Sequence, residues 1–185
     1  MGLPVEIEIL RLVTSKLDTL GIPYMLSGSV AAGFFAQPRM TRDIDIVIEL
    51  IAEQVPKVVE TFADDFYIDK DDVTEAVKLQ GMFNIIHFQA VVKVDFIVRK
   101  DSSYRRLEFQ RRVKKHITDF AVWVVSPEDL IISKLFWATD SVSELQIRDA
   151  TSIVTHQHDK LDWKYIDYWV KELGIEHLWR SLKNE

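Results

Sequence analysis

The chain has 185 residues, of which 48 % are hydrophobic and 28 % charged, with a net charge of −6 and no cysteine. That composition suits one well-packed core with a small appendage and excludes a collagen-like, low-complexity or disulfide-stapled protein. The absence of thiols also rules out a cysteine nucleophile or a cysteine zinc cluster, so any metal chemistry must use oxygen or imidazole ligands. The opening residues carry neither a basic n-region nor an apolar h-region, and the longest mostly apolar stretch, residues 24–36, is too short to span a bilayer. The expectation is a cytoplasmic protein with no membrane partner.

In chain order, Ile7, Leu10, Leu12, Val13, Leu17 and Leu20 recur with a helical period and Gly21-Ile-Pro closes the segment, predicting a helix over 4–20. Residues 24–27 read as a short buried strand. Gly28-Ser29 then opens an apolar, small-residue helix over 30–36 that stops near Pro38. A second strand is expected over 44–49 and an amphipathic helix over 53–63, with Pro56 in its first turn. Residues 66–68, 82–88 and 91–98 are β-branched and aromatic, the last two pairing as a hairpin through Gln89-Ala90. A short strand follows at 120–125. Ser126-Pro127-Glu128-Asp129 is a helix start, and helices are predicted over 127–139, 143–156, 162–173 and 175–182. The pattern divides the chain into a mixed core, residues 1–125, and a helical region, residues 126–185, and defines an α/β or α+β fold with a C-terminal helical cap.

Chemistry concentrates on three acids. Asp43 and Asp45 are two apart on one strand, so both carboxylates share a face while Ile44, Ile46 and Ile48 take the other. Such a pair requires a cation between its members or a shared proton. The next strand places Val92, Val94, Phe96 and Val98 on its apolar side and Asp95 opposite. Three carboxylates on adjacent strands suit a Mg²⁺ or Mn²⁺ centre for phosphoryl transfer, with Asp43 and Asp45 bridging and Asp95 beside the attacking hydroxyl. Ser27-Gly28-Ser29, between a strand and a helix start, offers backbone N–H groups to the β and γ phosphates of a nucleoside triphosphate.

Ser27-Gly28-Ser29, Arg39-Met-Thr41-Arg42-Asp43-Ile-Asp45 and Val94-Asp95-Phe96 together resemble the signature of the DNA polymerase beta nucleotidyltransferase superfamily, over residues 22–98. The Arg-x-Thr-x-Asp-x-Asp form, with Ser126-Pro-Glu-Asp-Leu130, Lys134 and Arg148-Asp149 behind it, is similar to the branch containing bacterial abortive-infection type toxins and minimal nucleotidyltransferases, out to about residue 160. The resemblance implies a bent mixed sheet flanked by helices, dependence on Mg²⁺, and a helical C-terminal region shaping the acceptor site. On that footing the nucleotide-binding set is Ser27, Gly28, Ser29, Arg39, Thr41, Arg42 and Lys134, with Arg39, Arg42 and Lys134 as the candidates for the triphosphate clamp.

The expected activity is transfer of a nucleoside monophosphate to an acceptor hydroxyl on an RNA end, a protein side chain or a small molecule, in a toxin–antitoxin or phage-defence setting with a cognate antitoxin or partner protein. The competing expectation is a catalytically silent module that keeps this fold for binding in a complex. Residues 99–116 carry eight Lys or Arg against Asp101 and Glu108, a local balance of +6. They read either as a solvated helix face or as a guide for a polyanionic acceptor. His87 and the His156-Gln-His158-Asp159 run read as structural or solvated residues, and the four tryptophans of the helical tail as packing residues.

Overall fold

The computed structural model describes residues 3–41, 43–141 and 143–183. Helix α1 (Val5–Leu20) buries Ile9, Leu10, Val13, Thr14 and Leu17 along one stripe and ends at Gly21, whose φ of +66° is the left-handed cap that a residue without Cβ supplies at low cost. There follow β1 (Tyr24–Ser27), α2 (Gly28–Ala32), β2 (Asp43–Ile48), α3 (Val55–Phe62) and β3 (Phe66–Tyr67). The chain continues through α4 (Lys70–Leu79), β4 (Met82–His87), β5 (Lys93–Val98), α5 (Ser103–Gln110), β6 (Val113–Ile117) and β7 (Phe120–Val124). Helices α6 (Pro127–Ser141), α7 (Glu144–Gln157), α8 (Trp163–Glu172) and α9 (Glu176–Lys183) complete it.

The seven strands form one mixed sheet in the order β3-β4-β5-β2-β1-β7-β6. β2 runs parallel to β5 and antiparallel to β1; β1 runs parallel to β7. Period-two alternation assigns the faces. Ile44, Ile46 and Ile48 of β2, Val94, Phe96 and Val98 of β5, and Phe83 and Ile85 of β4 are buried on one side. Against them lie α1, α3 and α4, with Phe62 of α3 edge-on to Phe96 at 5.8 Å and Phe83 at 5.1 Å from Phe96 on the neighbouring strand. The other face of β2 and β5 carries Asp43, Asp45 and Asp95. The mixed sheet, its flanking helices and the helical C-terminal region match the sequence expectation.

Several segments depart from it, among them residues 113–117, which the sequence reads only as part of the basic segment and which form β6 beside β7. Residues 70–79, expected within a β-rich stretch, form α4. Asp69 caps it by accepting hydrogen bonds from the Asp71 and Asp72 N–H groups at 2.7 and 3.2 Å, and Val73 and Ala76 make its narrow buried stripe. With so few apolar positions, the acidic run Asp69–Asp72 masks the helical period. The small-residue helix begins at Gly28 rather than Val30, so the turn and the first helical residues coincide.

The start of α6 is held from several elements. Ser126 Oγ donates to Asp129 Oδ2 at 2.6 Å and accepts the Asp129 N–H at 3.1 Å, a reciprocal cap. The fully buried Asp129 also accepts from Tyr165 of α8 at 2.7 Å and from Arg111 at 3.0 Å. These bonds tie the region between α5 and β6, α6 and α8 into one polar knot under the sheet. Among the described residues no helix is long and apolar enough to cross a membrane.

Candidate functional site

The strand register gathers the acids. Asp45 lies opposite Asp95 across the parallel β2–β5 pair, Asp43 lies opposite Lys93, and Ser27 at the end of β1 lies opposite Asp45 from the other side. One row across three strands thus reads Ser27, Asp45, Asp95. Gly28 follows at φ +64°, and a Cβ there would overlap Asp45 Oδ2 and come within 2.6 Å of its Cγ. The glycine is required both by its conformation and by the Asp45 carboxylate that rests on its backbone.

Burial pushes the Asp45 carboxyl above the usual carboxylate range, and repulsion from Asp95 and Asp43 adds to it, while Lys134 and Lys93 act the other way. Lys93 supplies the local compensation. Its ammonium is 2.9 Å from Asp95 Oδ2 and 4.0 Å from Asp43 Oδ1. The hydrogen bond to Asp95 is the chief reason that its pKa is raised. Among the described residues no three Asp, Glu or His side chains are gathered closely enough to hold a metal ion. Asp45 and Asp95 share a row, and Lys93, opposite Asp43 in the next row, stands between Asp43 and Asp95.

Opposite the sheet, α6 and α7 supply a second polar cluster. Lys134, 3 % exposed, donates from Nζ to Asp149 Oδ2 at 2.7 Å and to Gln146 Oε1 at 3.1 Å. Its burial lowers its pKa, against the pull of Asp149. Arg39 reaches the same carboxylate, Nε to Oδ1 at 3.3 Å, and its guanidinium donates to Ser29 Oγ. Asp149 therefore joins Lys134, Arg39 and, through Arg39, the Gly28 turn. Thr41 stands at the entry to β2 and accepts the Asp43 N–H at 3.3 Å, bracing the strand. Arg42 lies outside the described residues.

The structure thus brings Ser27, Gly28, Ser29, Arg39, Asp43, Asp45, Asp95 and Lys134 to one side of the sheet, with Thr41 at its rim. Two residues were absent from the sequence-derived site: Asp149, whose only signal was its place in the Arg148-Asp149 pair, and Lys93, whose position two before Asp95 on a strand could have flagged it. The basic segment is partly solvated, with Lys100, Arg106 and Lys114 exposed, and partly paired. Arg99 pairs with Glu49 and Asp101, Arg105 with Glu108, Arg106 with Asp101, and Arg111 with Glu128 and Asp129. Arg105 and Arg111 thereby reach buried carboxylates, whereas Arg106 and Asp101 pair at the surface. His87 accepts the Ala90 N–H at 3.0 Å and packs on Phe66, a structural role. Trp163 and Trp179 pack ring to ring at 5.6 Å and Trp169 lies against Tyr104, as expected of packing residues, whereas Trp137 is exposed.

Solved structures share this architecture. An antigenic nucleotidyltransferase-like protein from Paracoccidioides brasiliensis superposes with a TM-score of 0.55 at 20 % identity, over 80 % of this chain and 74 % of that one. The lincosamide antibiotic adenylyltransferase LnuA, bound to lincomycin, gives 0.53 at 14 % identity over 78 % of this chain and 93 % of its own. ANT(2")-Ia in complex with adenylyl-2"-tobramycin gives 0.52 at 13 % identity over 98 % of each chain. No curated protein matches the sequence. The fold is that of a nucleotidyltransferase. Residues 18–151 match the family model described as nucleotidyl transferase AbiEii toxin, Type IV TA system, and the chain belongs to that family of nucleotidyltransferase enzymes.

Proposed function

We propose that this enzyme transfers a nucleoside monophosphate from a nucleoside triphosphate to an acceptor hydroxyl at the row formed by Ser27, Asp45 and Asp95. The observation that carries the proposal is the in-register facing of Asp45 and Asp95 beside a glycine turn that the Asp45 carboxylate fills. An all-carboxylate donor set with raised internal repulsion suits a hard divalent cation, Mg²⁺ or Mn²⁺, which Asp43, Asp45 and Asp95 would hold by drawing together from the arrangement described above as Lys93 withdraws. When bound, such an ion neutralises phosphate charge and polarises the oxygens on the reacting phosphorus.

The chain's own groups do the rest. Backbone N–H groups at Gly28 and Ser29 face the β and γ phosphates, and Arg39 and Lys134 add positive charge on that side. Asp95 stands beside the acceptor and draws off its proton as the acceptor oxygen bonds to the α-phosphorus. The bond from the α-phosphorus to the bridging oxygen breaks, and pyrophosphate leaves. Asp149 keeps Lys134 and Arg39 aimed at the phosphates.

Pairing of Arg111 with Glu128 and Asp129 reduces the positive charge of the segment 99–116, while Lys100, Arg106 and Lys114 stay exposed, so its charge favours an RNA end only slightly over protein side chains and small hydroxylated molecules. Incubation with each α-labelled triphosphate, Mg²⁺ and total cellular RNA, protein or small-molecule extract identifies the fraction labelled. The proposal expects label in one fraction, lost in Asp45→Asn; absence of both label and pyrophosphate release in all fractions overturns it. Family membership further supports a toxin role countered by a cognate antitoxin. Induced expression should arrest growth in a manner that Asp45→Asn abolishes and a neighbouring antitoxin gene relieves.

A further inference from the structure

Lys93 has no role in the chemical steps above, yet it stands among the acids, bonded to Asp95 and close to Asp43. Register places it on β5 opposite Asp43, and because it precedes Asp95 by two residues its side chain leaves the sheet on the same face. Its ammonium donates to Asp95 Oδ2 at 2.9 Å and stands 4.0 Å from Asp43 Oδ1. The Lys93 side chain is 41 % exposed whereas that of Asp95 is 10 % exposed, so the lysine can swing into solvent while the carboxylate cannot. Lys134, the other lysine acting on Asp45, is committed to Asp149 and Gln146.

We propose that Lys93 is a displaceable internal counter-ion: it holds Asp95 and Asp43 in the metal-free enzyme and competes with the divalent cation for them. The inference rests on the metal-binding reading of the three carboxylates. A cation on a flexible stem lowers the mutual repulsion of the acids without nucleotide, and it must leave Asp95 before an ion can use that oxygen. Metal loading without a triphosphate is thereby disfavoured, and the extra negative charge of the phosphates shifts the competition toward the ion. Lys93 is thus a positioning residue that sets when the site fills.

The test is Mn²⁺ binding, followed by electron paramagnetic resonance and calorimetry, to the parent, Lys93→Met and Lys93→Arg proteins with and without a non-hydrolysable triphosphate. Thermal melting verifies that each variant folds. Without nucleotide, Lys93→Met should bind Mn²⁺ on the order of tenfold more tightly than the parent, as expected for removing one nearby, partly screened positive charge. Lys93→Arg should stay close to the parent, and the tightening of Mn²⁺ binding by triphosphate should shrink in Lys93→Met. Equal Mn²⁺ affinity in parent and Lys93→Met overturns the proposal while leaving the metal site intact. Weaker triphosphate binding by Lys93→Met in metal-free buffer, with unchanged Mn²⁺ affinity, would instead mark Lys93 as a phosphate ligand. Failure of every protein to bind Mn²⁺, even with triphosphate, overturns the metal reading and this proposal with it.

Discussion

Lys134 and Asp149, fifteen residues apart on successive helices, meet Nζ to Oδ2 at 2.7 Å with both side chains nearly buried, and Arg39 shares the carboxylate. The two halves of this cluster are not equivalent. Asp149→Ala leaves two cations facing each other without an anion, whereas Lys134→Met leaves Asp149 paired with Arg39. Asp149→Ala is expected to cost about 3 kcal/mol of unfolding free energy and Lys134→Met less than half of that, measured by urea denaturation. Equal losses would show that Arg39 contributes nothing to the cluster.

Gly28 is the most constrained backbone position in the site. Alanine there meets a left-handed conformation, costing about 1–2 kcal/mol, and its Cβ also displaces the Asp45 carboxylate. Gly28→Ala should melt earlier but remain folded, while nucleotide titration shows no saturable binding. A folded Gly28→Ala protein with parental nucleotide affinity would remove the turn from the site.

Asp95→Asn preserves shape and removes charge. Turnover should fall by at least about two orders of magnitude with only a modest loss of triphosphate affinity, because Asp95 is assigned to the acceptor side. Asp45→Asn, at the centre of the row, should impair binding and turnover together. Single-turnover rates and equilibrium titrations of both variants separate the roles; identical profiles would merge them.

Glu108 provides a pH signature away from the site. It is buried, with Arg105 Nη1 at 2.8 Å from Oε2 and Ser133 donating to Oε1 at 2.6 Å. Burial pushes its carboxyl above the ordinary range, and Arg105 and Ser133 offset this only in part. The folded protein therefore keeps the proton to higher pH than the unfolded chain. Between the unfolded value of about 4.3 and the raised folded value, the native state binds more protons, so this contribution to stability declines as pH rises. The stability of the parent relative to Glu108→Gln should fall from about pH 4 towards pH 7 in a denaturation series. A rise would mean that the Arg105 pairing outweighs burial.

Arg111 tests the fate of the basic segment. It bonds Asp129 at 3.0 Å and Glu128 at 3.3 Å and lies 3.9 Å over the Tyr165 ring. Arg111→Ala strands a buried carboxylate and should cost about 3 kcal/mol, whereas the salt dependence of any polyanion binding should not change. A shallower salt slope would return the segment to an acceptor-guiding role.

Much of the architecture was legible because its signals are local. The period of two over Asp43–Ile48 and Lys93–Val98 sets which carboxylates share a face with no knowledge of the partner strand, and Gly28 announces a turn through its own conformational freedom. The 3.6-residue period placed α1 and the C-terminal helices to within a few residues. Helix α4 escaped because two buried residues, Val73 and Ala76, are too few to display a period among acids. By itself, then, the sequence determined much of the strand–helix order, though not α4 or β6, together with the shared face of Asp43 and Asp45 and the glycine turn, since each depends on residues within a few positions of one another. Only the tertiary structure decided that Asp149 would reach Arg39 across 110 residues, that Lys93 would sit between Asp43 and Asp95, and that Arg111 would reach the buried Asp129. Those outcomes follow from strand register and helix packing, which bring together charges whose separation along the chain carries no trace of their meeting.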